Sequence, residues 1–113
     1  MRRRRLEAKT RVIARDYLSG ALGAAETCES LAKYSSWLPD RFSEEDKQFL
    51  NKVCSRISAL PVGERKDLWH PDFVGARLQE LARIEIAIRD DVRLVCDRVL
   101  TTMQKHSPIL EQG

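Results

Sequence analysis

Residues 71–105 read PDFVGARLQELARIEIAIRDDVRLVCDRVLTTMQK, and this stretch decides the fold because it is the longest helical pattern in the chain. Its apolar stripe consists of Val74, Leu78, Leu81, Ile88, Val92, Val95, Val99 and Met103, widened by Ile84, Ile86, Leu94, Cys96 and Leu100. A spacing of three or four places such residues on one face of an α-helix, whereas a strand alternates every second residue. The pattern predicts a helix from about Pro71 to Lys105, with the proline in the first turn.

A second helical pattern precedes it, from about Arg5 to Ser35. Its apolar and small residues recur at helical spacing, but Gly20 and Gly23 stand in the middle. Each glycine costs a helix interior about 1 kcal/mol relative to alanine, so the pair indicates either close helix packing or a bend. Pro39 ends the segment, because a proline keeps the residue before it out of the helical region.

A shorter helix is predicted from about Ser43 to Ala59. The sequence Ser43-Glu44-Glu45-Asp46 is a capping-box pattern, and its acids suit the positive end of a helix. The chain therefore predicts one all-α domain over residues 1–113. It would be a three-helix bundle with long first and third helices and a short second helix.

The length of the third helix raises the question of what covers it. Thirty-five helical residues span about 52 Å, whereas a compact chain of this size has a radius of gyration of about 13 Å. The first segment could bend at Gly20 and Gly23 and fold back, or a second copy of the chain could pack along the third helix. The sequence favours the second alternative, a homodimer formed along the third helix.

The net charge of +3 conceals an uneven distribution, with 20 basic and 17 acidic residues in the chain. Residues 1–15 carry seven basic groups and one acid, so the rest of the chain is net negative. Residues 1–5 are predicted to form a basic arm and residues 107–113 a frayed tail. The run Arg2, Arg3, Arg4, Arg5 has three interpretations: no specific role, contact with the phosphates of nucleic acid, or contact with an acidic protein or lipid surface.

Several functional classes find no support in the sequence. No stretch reaches the ~20 apolar residues of a membrane span, and charges interrupt any secretory signal, so a cytoplasmic protein is expected. The three cysteines are scattered over the helical patterns and are interpreted as buried apolar residues. The two histidines lie far apart, and no cluster resembles a metal site or a nucleophile–base set. We therefore predict no catalytic residues, no metal and no cofactor.

Acidic residues one helical turn apart leave one enzymatic alternative open. Glu26 and Glu29 are so spaced, and Asp90-Asp91 lies in the third helix. The arrangement loosely resembles the all-helical nucleotide pyrophosphohydrolases, which bind magnesium through a Glu-Glu-x-x-Glu block. That block is absent after Glu44-Glu45, so a carboxylate–magnesium nucleotide hydrolase stays an alternative only.

Glu85 is the one acid that falls on the apolar seam of the third helix. The favoured interpretation pairs it with Arg89 one turn later, an interaction worth a few tenths of a kcal/mol. The alternative is a buried polar group that fixes helix register or the choice of partner.

The connection LPVGERKDLWHP, residues 60–71, is the segment most typical of a recognition loop. Its candidate partner-binding residues are Glu64, Arg65, Asp67, Trp69 and His70. Purely structural roles are the alternative, with Trp69 closing the end of the bundle and Asp67 or His70 capping the third helix. The sequence thus favours a small bacterial non-enzymatic protein that binds another protein as a regulator, adaptor or immunity-like inhibitor, and a nucleic-acid-associated protein using the arginine arm is the alternative.

Overall fold

The computed structural model describes residues 3–60, 62 and 71–105. The described helices are α1 (Arg3–Leu18), α2 (Ala24–Trp37), α3 (Glu44–Ile57) and α4 (Pro71–Lys105), with a short 3-10 turn at Pro39–Arg41. No strand occurs within these ranges. The all-α prediction is confirmed, and α4 has the bounds that the apolar stripe predicted.

The prediction of one continuous helix from about Arg5 to Ser35 is wrong. The chain leaves the helix after Leu18, and Gly20 adopts a left-handed conformation with φ of 86° that glycine reaches without steric cost. The N–H of Ala21 donates to the carbonyl of Asp16 at 2.8 Å, and the N–H of Gly20 donates to the carbonyl of Tyr17 at 3.0 Å. This bonding pattern is a Schellman motif, which terminates α1. The chain therefore has four α-helices instead of three.

The start of α3 follows the predicted capping pattern. Ser43 is the N-cap, and its hydroxyl accepts a hydrogen bond from the N–H of Asp46 at 3.1 Å. Asp46 is itself buried, and its carboxylate accepts two hydrogen bonds from Arg98 of α4, at 2.6 and 3.1 Å. The same carboxylate thus lies near the positive end of α3 and links α3 to α4.

The four helices share one core. Both α1 and α2 pack against α4, and α3 packs against α2. The protein is 53 Å long and 24 Å across, so its long axis matches the ~52 Å of α4. The reversal at residues 19–23 lets α1 and α2 cover the apolar stripe of α4 within a single chain. The alternative in which the first segment bends at its glycines is therefore the one found.

Candidate functional site

The side of α4 that points away from the other helices carries two large apolar side chains. Ile86 is 63% exposed and Leu94 is 50% exposed, whereas Ile88, Val92 and Val95 of the same helix are buried. At about 100° per residue, Ile86 and Leu94 project from the side opposite those three. The prediction that both widen the core stripe is therefore wrong. Their angular position on the helix, more than their residue type, was the signal that could have identified them.

Charged side chains accompany these two apolar groups. Arg83, Asp90, Arg93 and Asp97 are all exposed. None of the ion pairs found among the described residues involves them. We call these four residues together with Ile86 and Leu94 the α4 outer face. It offers apolar area and charges of both signs that the fold itself does not use.

The outer side of α1 has a different character. Its basic residues Arg4, Arg5, Lys9 and Arg15 are exposed and Arg11 is half-buried, while Leu6, Glu7, Thr10 and Ala14 face the core. The ion pairs of the described residues leave all five of these basic groups out. We call these five residues the α1 cationic face. It continues the predicted arginine arm along a helix, for two further turns beyond Arg5.

Within the predicted arm, Arg3 has an acidic partner in the same chain. Its guanidinium donates to both carboxylate oxygens of Asp40, at 2.8 and 2.9 Å. The bond to Arg3 lowers the pKa of the Asp40 carboxyl below its ordinary value. Arg4 and Arg5 are exposed in the same helical turn, and Arg2 lies outside the described residues. The predicted arm is thus helical from Arg3 onward.

Next to Arg3, a second ion pair joins α1 to the 3-10 turn. Arg41 donates to Glu7 at 3.1 Å and to Asp40 at 2.8 Å, and the Arg41 and Glu7 side chains are nearly buried. These contacts fix the first turns of α1 to the segment between α2 and α3. They have no sequence signal, because the partners are separated by more than 30 residues.

An open groove lies between the α1–α2 turn and α4. Its volume is about 680 Å³, and its walls include Leu22, Ile86, Arg89 and Arg93. The Tyr17 hydroxyl at one side donates to the main-chain carbonyl of Arg89 at 2.8 Å. Burial is the main reason that the pKa of Tyr17 is raised. The groove has both apolar and charged walls, and no constellation for proton transfer is evident among them.

Glu85 lies in the wall of that groove and has a structural role. Its carboxylate accepts a hydrogen bond from the N–H of Ala25 at 3.0 Å, at the start of α2. The N-cap residue of α2 is Gly23, which has no side chain to supply this acceptor. The predicted pair with Arg89 is wrong, because α2 and not the next turn of α4 provides the partner. Glu85 serves as a cap supplied from another helix.

The cysteines bear on the question of a nucleophile. Cys28 and Cys96 are buried, as predicted, and Cys54 is half-buried. Burial raises the pKa of the Cys28 thiol well above its usual range and that of Cys96 to about 12. A thiol in such surroundings stays protonated and is a poor nucleophile. Among the described residues, no three His, Cys, Asp or Glu side chains are grouped so that they could hold a metal ion.

The predicted partner-binding loop cannot be placed. Glu64, Arg65, Asp67, Trp69 and His70 lie outside the described residues. The acids of the magnesium alternative can be placed: Glu26, Asp90 and Asp91 are exposed and Glu29 is half-buried.

Comparisons with known proteins add no family. No protein-family model matches the chain, and no curated protein and no solved structure matches it either. Of the helices described above, none has the length and apolar character required to cross a membrane.

Proposed function

We propose that this chain is a non-enzymatic helical protein that acts by binding another protein, as a small regulator, adaptor or immunity-like inhibitor does. The observation that carries the proposal is the exposure of Ile86 and Leu94 on the α4 outer face. Folding gains nothing from apolar side chains that remain in water, whereas association would gain from burying them. The cytoplasmic, bacterial setting expected from the sequence belongs to this proposal.

The partner to which the proposal commits first is a second copy of the chain. In an antiparallel pair of α4 helices centred on Asp90, Ile86 stands level with Leu94 of the partner subunit. In the same arrangement, Arg83 stands level with Asp97 of the partner subunit. A two-fold interface repeats each contact, so both the apolar and the charged match occur twice. This self-complementarity supports dimerisation along α4, for a different reason than the length of the helix.

The apolar gain sets the expected strength of association. Four partly exposed side chains would contribute about 4 kcal/mol in total, which corresponds to weak association. Sedimentation velocity at concentrations up to about 500 µM should therefore show a monomer–dimer equilibrium. Sedimentation as a monomer at every concentration would refute the homodimer.

Variants locate the interface. The double substitution Ile86→Glu and Leu94→Glu should abolish the dimer, whereas Val12→Glu should not. Val12 is a matched control because it is 55% exposed, on α1 instead of α4. If Val12→Glu is as damaging as the double variant, the interface lies elsewhere.

A charge exchange tests the antiparallel register. Arg83→Asp alone or Asp97→Arg alone should weaken the dimer by placing like charges opposite one another. The two substitutions together restore opposite charges and should recover the dimer. Failure of the double variant to recover would contradict the register.

The loop residues form a second element of the same proposal. Arg65 and Trp69 belong to residue types that dominate protein interfaces. In a pull-down with an identified partner, Arg65→Ala and Trp69→Ala are expected to reduce capture. A fall in melting temperature without loss of capture would make the loop structural.

A further inference from the structure

The α1 cationic face is a surface whose charges the fold leaves unbalanced. Helix α1 carries six basic residues and two acidic ones, Glu7 and Asp16. Arg3 is neutralised by Asp40, and Glu7 is engaged with Arg41 of the 3-10 turn. Five positive charges thus remain on a helix of 16 residues. They belong to neither the core nor the α4 outer face.

The placement of these charges follows one side of the helix. At about 100° per residue, Arg4, Arg11 and Arg15 lie close to one line, and Arg5 and Lys9 lie beside it. The line from Arg4 to Arg15 is about 16 Å long, over which each strand of a nucleic-acid duplex presents about five phosphates. The row therefore has the length needed to contact several neighbouring phosphates at once.

Helix stability does not explain the arginines of the first turn. The first turn of α1 contains no acid, although the positive end of a helix dipole favours acids and disfavours cations there. Local rules of this kind are commonly broken where a residue serves binding. Arg4 and Arg5 thus lie where folding alone would disfavour them.

The residue types on this face favour nucleic acid over the other polyanions. An interfacial membrane helix needs an exposed apolar side, but Leu6 and Ala14 of α1 are in the core. A protein interface needs large desolvated anchors, and Val12 is the one large apolar side chain exposed on described α1. Four of the five cations are arginines, whose planar donors pair well with phosphate.

We propose that the α1 cationic face binds the phosphate backbone of duplex nucleic acid without sequence preference. Arginine and lysine contacts to phosphates supply affinity but carry no sequence information. The described face presents no asparagine or glutamine that could read a base edge. The binding surface is thus a helix face reaching to Arg15, not only the arm that ends at Arg5.

Fluorescence anisotropy with labelled duplex DNA and duplex RNA of unrelated sequences tests this proposal. With three phosphates neutralised, affinity should fall about 40-fold between roughly 50 and 200 mM salt, and equally for every sequence. Failure of the wild-type chain to bind either duplex at about 50 mM salt would overturn the proposal. Strong preference for one sequence would overturn its backbone-only form.

A matched pair of variants assigns the surface. Arg4→Gln, Arg11→Gln and Arg15→Gln together should lower affinity more than tenfold and reduce the logarithmic salt slope by about three. The control replaces Lys52, Arg56 and Lys105, which are exposed on α3 and α4, by glutamine. It makes the same change in net charge and should lower affinity far less. Equal losses in both variants would refute the assignment to α1, and circular dichroism confirms that each variant is folded.

The remaining polyanions are separate arms of the test. Vesicles with anionic lipid and an acidic polypeptide such as polyglutamate should bind more weakly than duplex DNA at equal charge concentration. Tighter binding to either of them would replace nucleic acid by that class of partner. The test does not depend on dimerisation, because the Ile86→Glu and Leu94→Glu variant should retain the binding.

Discussion

The chain reverses direction at residues 19–23 and again at residues 38–43, and the two reversals differ in how much of their support is local. At the first, Gly20 ends α1, but the cap of α2 comes from Glu85, 60 residues further along the chain. At the second, Pro39 and Ser43 supply the stop and the start within a few residues. Both are then fastened to α4, by Glu85 in one case and by Arg98 in the other.

This difference explains why only one reversal was predicted. A proline and a capping box act locally, so their meaning can be read without knowing the fold. A glycine pair is compatible with a bent helix, a tightly packed helix or a full break. The choice between them at residues 19–23 depends on a tertiary partner, the Glu85 carboxylate.

The largest effect is expected from removal of the fastening at the second reversal. Arg98→Ala leaves the buried Asp46 carboxylate without its guanidinium partner, which should cost about 2 kcal/mol of unfolding free energy. This is less than for a fully buried pair, because the Arg98 side chain is 53% exposed. Urea denaturation measures the loss.

Arg89→Ala is the matched control, because the exposed Arg89 side chain belongs to none of the ion pairs in the described ranges. It should change the unfolding free energy by less than about 0.5 kcal/mol. Equal losses for the two variants would show that Arg98 contributes only as a helix residue.

A smaller effect is expected at the first reversal. Glu85→Ala removes a charged acceptor from the start of α2 and should cost about 1.5 kcal/mol. Gly23→Ala should cost a similar amount, because its new Cβ would lie 2.9 Å from the Glu85 Oε2 atom and displace the carboxylate. Both changes break the same bond, so urea denaturation should give a double variant well short of the sum.

The shortfall is the decisive quantity in that comparison. Full additivity would mean that Gly23 and Glu85 act independently, and the cap would not depend on the close approach of the carboxylate to Gly23. Gly20→Ala provides a contrast, because a Cβ at Gly20 would meet nothing within 4 Å. Its cost comes from the left-handed backbone alone and should add fully to that of Glu85→Ala.

The sequence was informative wherever a pattern is local or periodic. The bounds of α4, the Ser43 start of α3 and the burial of Cys28 all follow from spacing and capping. What could not be predicted depends on which elements meet in space. The orientation of α4 leaves Ile86 in water, and no spacing in the sequence connects Arg98 to Asp46.

The candidate surfaces divide in the same way. Basic residues near the start of the chain were visible as a run, but the run was interpreted as an arm. Only the buried positions of α1, such as Leu6 and Ala14, show which side of that helix faces outward. That knowledge extends the cationic surface to Arg15, because the outer side of a helix is defined by what its inner side contacts.

The smallest effect is expected from the exposed pair at the second reversal, and it should depend on pH. Arg3 holds the pKa of the Asp40 carboxyl below its ordinary value of 3.8. A carboxyl whose folded pKa is lowered contributes stability above its unfolded pKa and loses it as pH falls through the folded pKa. The melting temperature of Arg3→Gln should therefore lie slightly below that of wild type near neutral pH, and the difference should vanish below about pH 3. Arg4→Gln is the control, since it makes the same charge change in the same turn without an acidic partner, and its difference from wild type should not follow this titration. If the Arg3→Gln deficit persists undiminished at pH 2, packing of the Arg3 stem, not the ion pair, fastens α1 to the 3-10 turn.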